Sequence, residues 1–293
     1  MTIALEAPPT SITLRFLALE ITGRCQLTCP ALCYAGSGPT RDHGSMTEED
    51  WNRTIDEAVA LGVKDLQLIG GEPTLHPAFA RMLQRAVDAG LRVRVYSNLL
   101  QIRGEHWRLF EHPSVRLATT YHSSLAAEHD AVTGRTGSHK ATRANIAEAV
   151  RRGIRLKVAI LDRGDLERAE RARAEMQALG VHEVQVSQVR AVGNAAGTTI
   201  PSTASLCGRC GDQKAAVLPN GSVSVCEMGR FLTAGSVKNT SLASVLASDR
   251  WAEVTASIPR RAGAALCPPD CAPNDDSACG PDNSGPCGPA DDS

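Results

Sequence analysis

Cys25-Gln26-Leu27-Thr28-Cys29-Pro30-Ala31-Leu32-Cys33 follows directly on a strand-like run over 14–21. It places three thiols within nine residues, with no histidine and no fourth cysteine in the loop. A structural zinc site closes its tetrahedral shell with four ligands, commonly from paired knuckles. Three soft ligands that leave a position vacant suit an iron–sulfur cube whose fourth iron stays open to bind something. Three buried or disulfide-bonded cysteines are the plainer alternative, which so tight a cluster disfavours. The loop points to open-cluster chemistry at the end of a first strand.

Outward from this loop, four glycines punctuate the chain alike. Gly62, Gly90, Gly153 and Gly180 each close an amphipathic stretch and open a β-branched run. Glycine just past a helix takes the left-handed cap, so the runs over 64–68, 93–97, 155–161 and 183–188 read as buried strands. The run 14–21 precedes them, and 115–121 fills the gap after Gly90. Helices are expected near 47–61, 77–89, 104–112, 139–152 and 165–179. Thr47-Glu48-Glu49-Asp50 opens the first as a capping box, with Asp in place of Glu or Gln. Six strands alternating with helices imply parallel βαβ units and right-handed crossovers. A doubly wound open sheet and a partial barrel both satisfy that pattern, and each binds its ligand at the C-terminal ends of the strands. The cysteine loop, residues 70–77 and the pair Ser97-Asn98 all follow strands, so they converge on one face.

From about 198 the character changes to short runs with turn signals. Pro219-Asn220-Gly221 between two apolar runs reads as a hairpin, and one helix-like stretch follows over 242–256. After Arg261 the tail has six aspartates, no Lys or Arg, and four cysteines among many Pro and Gly. Such a segment lacks the apolar surface to fold without a ligand.

The bulk numbers agree. A chain of 293 residues can bury one full α/β core plus a small appendage. The net charge of −1 gives no reason to expect nucleic acid or an anionic membrane as partner. No stretch of about 18 apolar residues is present, and the N-terminus lacks the basic and apolar regions of a signal peptide. The ten cysteines are therefore assigned to a cytoplasmic protein, where thiols hold metal more readily than they form disulfides.

The second motif is Leu68-Ile69-Gly70-Gly71-Glu72-Pro73-Thr74, directly after the second strand. Two glycines allow a close backbone approach, and Glu72 can accept a hydrogen bond from an ammonium. A three-cysteine loop after the first strand followed by Gly-Gly-Glu-Pro after the second resembles the radical S-adenosylmethionine (SAM) enzymes, over roughly 13–193. The resemblance implies a partial (β/α)6 barrel and a [4Fe–4S] cluster held by Cys25, Cys29 and Cys33. It places Gly70, Gly71 and Glu72 at the SAM amino group, Ser97 and Asn98 near the ribose, Arg190 on the sixth strand toward the SAM carboxylate, and Tyr34 near the adenine. The spacing departs from the family's three-then-two residues, because Pro30-Ala31-Leu32 carries one more. His129-Asp130-Ala131-Val132-Thr133-Gly134 also resembles a recurring family segment; a structural loop and a substrate contact both suit it, and His122 and Arg135 lie nearby.

Cys210, ten residues, Gly221, four residues and Cys226 resemble the opening of the SPASM domain, which carries auxiliary clusters in many radical SAM enzymes that modify peptides. The resemblance adds Cys207, Cys210, Cys226, Cys267, Cys271, Cys279 and Cys287 as ligands of one or two auxiliary iron–sulfur clusters. Two closed cubes need eight thiolates and seven are present; a zinc knuckle at Cys207-Cys210 is the alternative. The expected organisation is an N-terminal extension over 1–12, a radical SAM core over 13–197 and a SPASM-like unit over 198–293. The expected function is hydrogen abstraction from a ribosomally made peptide undergoing crosslinking, epimerisation or oxidation, served by a ferredoxin- or flavodoxin-type reductant. With so few residues before the first strand, leader recognition falls to a separate protein or to the barrel rim. A dehydrogenase or epimerase of a sugar or alcohol is the competing enzymatic reading, and a non-catalytic iron–sulfur or zinc protein is the non-enzymatic one.

Overall fold

The computed structural model describes residues 14–259; the extension 1–12 and Cys267, Cys271, Cys279 and Cys287 lie outside them. The first part runs β1 (Phe16–Glu20), α1 (Glu48–Ala60), β2 (Asp65–Ile69), α2 (Phe79–Asp88), β3 (Arg92–Tyr96), α3 (Gly104–Phe110), β4 (Val115–Thr120), α4 (Ala126–Thr133), α5 (Ser138–Arg151), β5 (Leu156–Asp162), α6 (Leu166–Ala178) and β6 (Glu183–Gln188). The second runs β7 (Lys214–Val217), β8 (Ser222–Ser224), β9 (Thr233–Ser236), α7 (Leu242–Leu246) and α8 (Asp249–Ala256).

Six parallel strands lie in the order β6-β5-β4-β3-β2-β1, with β7 added parallel to β1 and β8 and β9 antiparallel beyond it. A doubly wound sheet reverses its strand order at a switch point. No reversal occurs here, so every crossover winds the same way and the sheet is the wall of a partial barrel. The alternation along β1 sorts its side chains accordingly. Leu17 and Leu19 join the helix-facing core with Trp51, Ile55 and Phe79. Phe16 and Ala18 pack on the other face with Ile69 and Ala216.

The expected helix ends are present. Thr47 and Asp50 form a reciprocal capping box, Asp50 N–H to Thr47 Oγ1 at 3.2 Å and Thr47 N–H to Asp50 Oδ2 at 3.0 Å. Gly62, Gly90, Gly153 and Gly180 take φ of 85°, 79°, 69° and 88° after their helices. Two elements differ from expectation. Residues Ala126–Thr133 form α4, which has no side-chain N-cap and no marked apolar face to announce it. The stretch 242–256 breaks in two, because Ser248 leaves the helix to cap α8, accepting from Trp251 N–H at 3.1 Å. Among the described residues no helix is long and apolar enough to cross a membrane.

Candidate functional site

The loop after β1 is tied down on three sides. Gly71 and Glu72, just past β2, donate their N–H groups to the Thr22 and Arg24 carbonyls at 2.7 and 2.9 Å. Thr133, the last residue of α4, accepts from the N–H groups of Thr28 and Cys29 at 3.1 and 3.2 Å. Beyond β6, Asn194 donates its N–H to the Cys33 carbonyl at 2.7 Å and Nδ2 to the Cys29 carbonyl at 3.2 Å. Its neighbour Gly193 takes φ of 56°, and a Cβ there would stand 2.1 Å from the Tyr34 carbonyl oxygen. Only glycine lets that segment lie against the cysteine loop.

The unusual second spacing has a local solution. Cys33 N–H donates to the Cys29 carbonyl at 3.1 Å, closing one helical turn that Cys29 enters at φ of 37°. Residues four apart on such a turn share a side, so the added residue is absorbed and both cysteines line the same cleft.

That cleft, about 1080 Å³, is lined by Cys25, Cys29, Cys33, Tyr34, Gly70, Gly71, Ser97, Asn98 and Arg190. The sulfurs collect donors: Cys25 Sγ from Leu27 N–H at 3.4 Å and Asn98 Nδ2 at 3.5 Å, Cys33 Sγ from Ser37 N–H at 3.3 Å. Burial, then the charges of neighbouring cysteines, pushes the Cys29 thiol up to about 12, and burial carries Cys25 to about 12 as well. Thiolates here need a cationic partner among them, which iron supplies. Among the described residues no group of three or more His, Cys, Asp or Glu side chains is placed to hold a single metal ion. A cube asks for something else, since each thiolate binds its own iron. The donor set therefore fits an iron–sulfur cluster.

Gly70 and Gly71 press on the cysteine loop itself. A Cβ on Gly70 would meet the Thr22 carbonyl oxygen at 2.4 Å, and one on Gly71 the Arg24 carbonyl oxygen at 2.3 Å. Glu72 does not line the cleft. It is wholly buried, its Oε1 accepting from Thr74 Oγ1 at 2.7 Å, Ser97 Oγ at 2.9 Å and Thr74 N–H at 3.2 Å, and its Oε2 from Asn98 N–H at 2.8 Å. Burial outweighs these donors and leaves its carboxyl pKa raised. Arg190 lies two residues past the end of β6 rather than on it. Tyr34 turns its hydroxyl inward, where it is buried and has no hydrogen-bond partner among the described residues.

Two wall residues come from the segment after β4, where the sequence leaves a structural loop and a substrate contact both open. His122, two residues past β4, and His129 on α4 both line the cleft. Their rings meet edge-on at 5.2 Å, and His122 N–H donates to His129 Nδ1 at 3.3 Å. Burial above all drives both imidazoles toward neutrality, His122 down to about 3 and His129 to about 4. Asp130 instead caps α5, accepting from Gly137 N–H at 2.6 Å and His139 N–H at 2.8 Å. Arg135 donates to the Gln26 carbonyl at 3.4 Å.

The second cysteine group adjoins the same cleft. The β7–β8 hairpin, turned at Gly221 with φ of 85°, brings Cys226 back to Cys210 with the sulfurs 3.3 Å apart. Cys207, Cys210 and Cys226 are buried among Val192, Leu206, Val225 and Met228, and of these Val192 and Met228 also line the cleft. The hydrogen bonds shared with Cys210 pull the Cys207 and Cys226 thiols down, and Lys214 adds to this. Cys210, which shares those hydrogen bonds, is raised instead, so three sulfurs drawn this close hold one another's protons until a metal replaces them.

Comparisons with known proteins agree with this architecture. The model of the SPASM iron–sulfur cluster-binding domain matches residues 207–272. The PqqA peptide cyclase of Ruegeria pomeroyi is 30% identical over 191 residues, 63% of this chain and 50% of that one. The sporulation killing factor maturation protein SkfB of Bacillus subtilis is 32% identical over 125 residues, 42% of this chain and 29% of that one. The chain thus spans half the length, or less, of these relatives. The structure of Streptococcus suis SuiB bound to precursor peptide SuiA superposes with a TM-score of 0.70 at 13% identity, covering 81% of this chain and 65% of that one, a likeness of fold. The radical SAM superfamily model matches residues 19–182, more than half of the 293. Its cofactors are a [4Fe–4S] cluster and SAM, the SPASM match adds auxiliary iron–sulfur clusters, and the chain belongs to the radical SAM superfamily.

Proposed function

We propose that the chain is a radical SAM enzyme that abstracts hydrogen from a ribosomally made peptide and leads it to a crosslinked, epimerised or oxidised product. The observation that carries this reading is the shared cleft: the three-cysteine loop lines it, and the apolar group around Cys207, Cys210 and Cys226 forms part of its wall. An open-iron cluster bearing SAM supplies a 5′-deoxyadenosyl radical on reduction. In the proposed assignment Cys25, Cys29 and Cys33 hold that cluster, and the backbone of Gly70 and Gly71 lies against the SAM amino group. Ser97 and Asn98 face the ribose, and Arg190 serves the carboxylate. Glu72 orients Asn98 and Ser97 rather than touching SAM. Cys207, Cys210 and Cys226, with cysteines of the tail, hold the auxiliary cluster, in a unit that begins near 198.

The peptide assignment draws support from the relatives, since a PqqA peptide cyclase, a killing-factor maturation protein and a precursor-peptide complex are all peptide systems. A ferredoxin- or flavodoxin-type protein is the proposed reductant, and a separate protein is proposed to present the leader. The test is anaerobic reconstitution with iron and sulfide, then dithionite and SAM, with 5′-deoxyadenosine and methionine as products. A protein with verified iron and sulfide that makes neither overturns the radical reading. Mass spectrometry of a short peptide encoded beside the gene tests the peptide reading separately: an unchanged mass in a reaction that still cleaves SAM overturns it.

A further inference from the structure

The turn after Cys226 serves both cysteine sites. Gly229 N–H donates to Cys226 Sγ at 3.1 Å, and a Cβ on Gly229 would stand 2.6 Å from Val225 Cγ2, so the turn is tightly wrapped on that sulfur. The next residue, Arg230, leaves this turn for the other site. Its guanidinium donates to the Ala35 carbonyl at 2.7 Å and to Glu20 Oε1 at 2.7 Å. Ala35 lies two residues past Cys33, and Glu20 ends β1. The contact is enclosed, with the Glu20 side chain only 1% exposed. Tyr34, between Cys33 and Ala35, packs on the apolar group of Cys207, Cys210 and Cys226 and also on that of Phe16 and Ile69. Arg230 is thus a side chain that joins β1, the cluster loop and the Cys226 turn.

The geometry points to Arg230 as a positioning residue that makes the N-terminal cysteine loop depend on occupancy of the Cys226 site. Metal on Cys226 fixes the turn 226–229 and delivers the guanidinium to Ala35 and Glu20; an unligated Cys226 frees the turn and both hydrogen bonds loosen. A planar fork serves two acceptors in fixed directions, which a point-charge ammonium does not. The inference rests on the proposed reading of Cys226 as an iron–sulfur ligand.

The test compares wild type, Arg230→Gln, Arg230→Lys, Cys226→Ser and the Arg230→Gln/Cys226→Ser double variant, all reconstituted anaerobically. The readouts are the EPR signal of the reduced N-terminal cluster with and without SAM, and amide hydrogen exchange over 24–38. Arg230→Gln and Cys226→Ser are each expected to alter the SAM-induced EPR change and to speed exchange several-fold, as a loop that opens locally more often does. The double variant is expected to go no further than either alone, as for two residues on one path. Arg230→Lys, which keeps a cation beside Glu20, gives an intermediate change. C-terminal iron, measured in a Cys25/Cys29/Cys33→Ala background, stays at wild-type level in Arg230→Gln. Wild-type EPR and exchange in Arg230→Gln overturn the coupling, as do additive effects in the double variant. If Cys226→Ser keeps its full C-terminal iron–sulfur absorption, the ligand reading fails and the coupling with it.

Discussion

Glu72 Oε2 accepts the N–H of Asn98 at 2.8 Å, and Asn98 in turn donates Nδ2 to Cys25 Sγ at 3.5 Å. One buried carboxylate therefore links the turn after β2, the end of β3 and the first cysteine. Glu72→Ala strands the donors of Thr74, Ser97 and Asn98 in a buried site, where each unmet donor costs about 1–3 kcal/mol. The expected loss is at least about 4 kcal/mol in denaturant unfolding, the low end for four donors, with weaker SAM binding by equilibrium dialysis. Glu72→Gln, which keeps the acceptor oxygen, is expected to lose less of both.

Replacing Cys25, Cys29 or Cys33 by Ala leaves two thiolates for three irons, and 5′-deoxyadenosine formation should vanish. Iron–sulfur absorption from the C-terminal cysteines should persist in the same proteins. If the triple variant carries zinc and no iron–sulfur absorption, the second site is a zinc module.

Gly193→Ala tests the packing of the post-β6 segment. The added Cβ would stand 2.1 Å from the Tyr34 carbonyl oxygen at a φ of 56°, so the segment must move off the loop. Since Asn194 moves with it, the Cys29 and Cys33 carbonyls lose its two hydrogen bonds and keep only those made within the loop. We expect iron incorporation to fall about tenfold, the scale seen for outer-shell partners of metal ligands, read as iron per chain after reconstitution.

His122 makes stability depend on pH in a defined direction. Its pKa falls from the ordinary 6.5 to about 3, chiefly by burial and then by His129, Arg163 and Arg168. The unfolded chain therefore binds a proton below about pH 6.5 that the folded chain refuses, so this stability is present above that pH and lost as pH falls. At 1.36 kcal/mol per unit the loss between pH 7 and pH 5 is about 2 kcal/mol. Glu20 runs the other way: burial raises it to about 7, so its contribution fades as pH rises from about 4.5. Urea unfolding of wild type and His122→Gln at pH 7 and pH 5 isolates the histidine, and the variant should lose about 2 kcal/mol less over that interval.

Much of the fold was legible in local pattern. Cap glycines, the Thr47–Asp50 box and β-branched runs act within a few residues, so helix ends and strands could be read in order. The cysteine spacing and Gly70-Gly71 identified the cleft for the same reason: chemistry and turn geometry are both written in adjacent residues. The strand order was not legible, because a doubly wound sheet and a singly wound barrel bury the same periodic faces; only pairing without reversal decided it. Nor was the role of Glu72, whose four donors come from both its own turn and the end of β3. Asn194 on Cys29 spans 165 positions and Arg230 on Glu20 spans 210. Contacts that distant carry no local periodicity, and they exist only once the barrel has closed the chain on its own first strand.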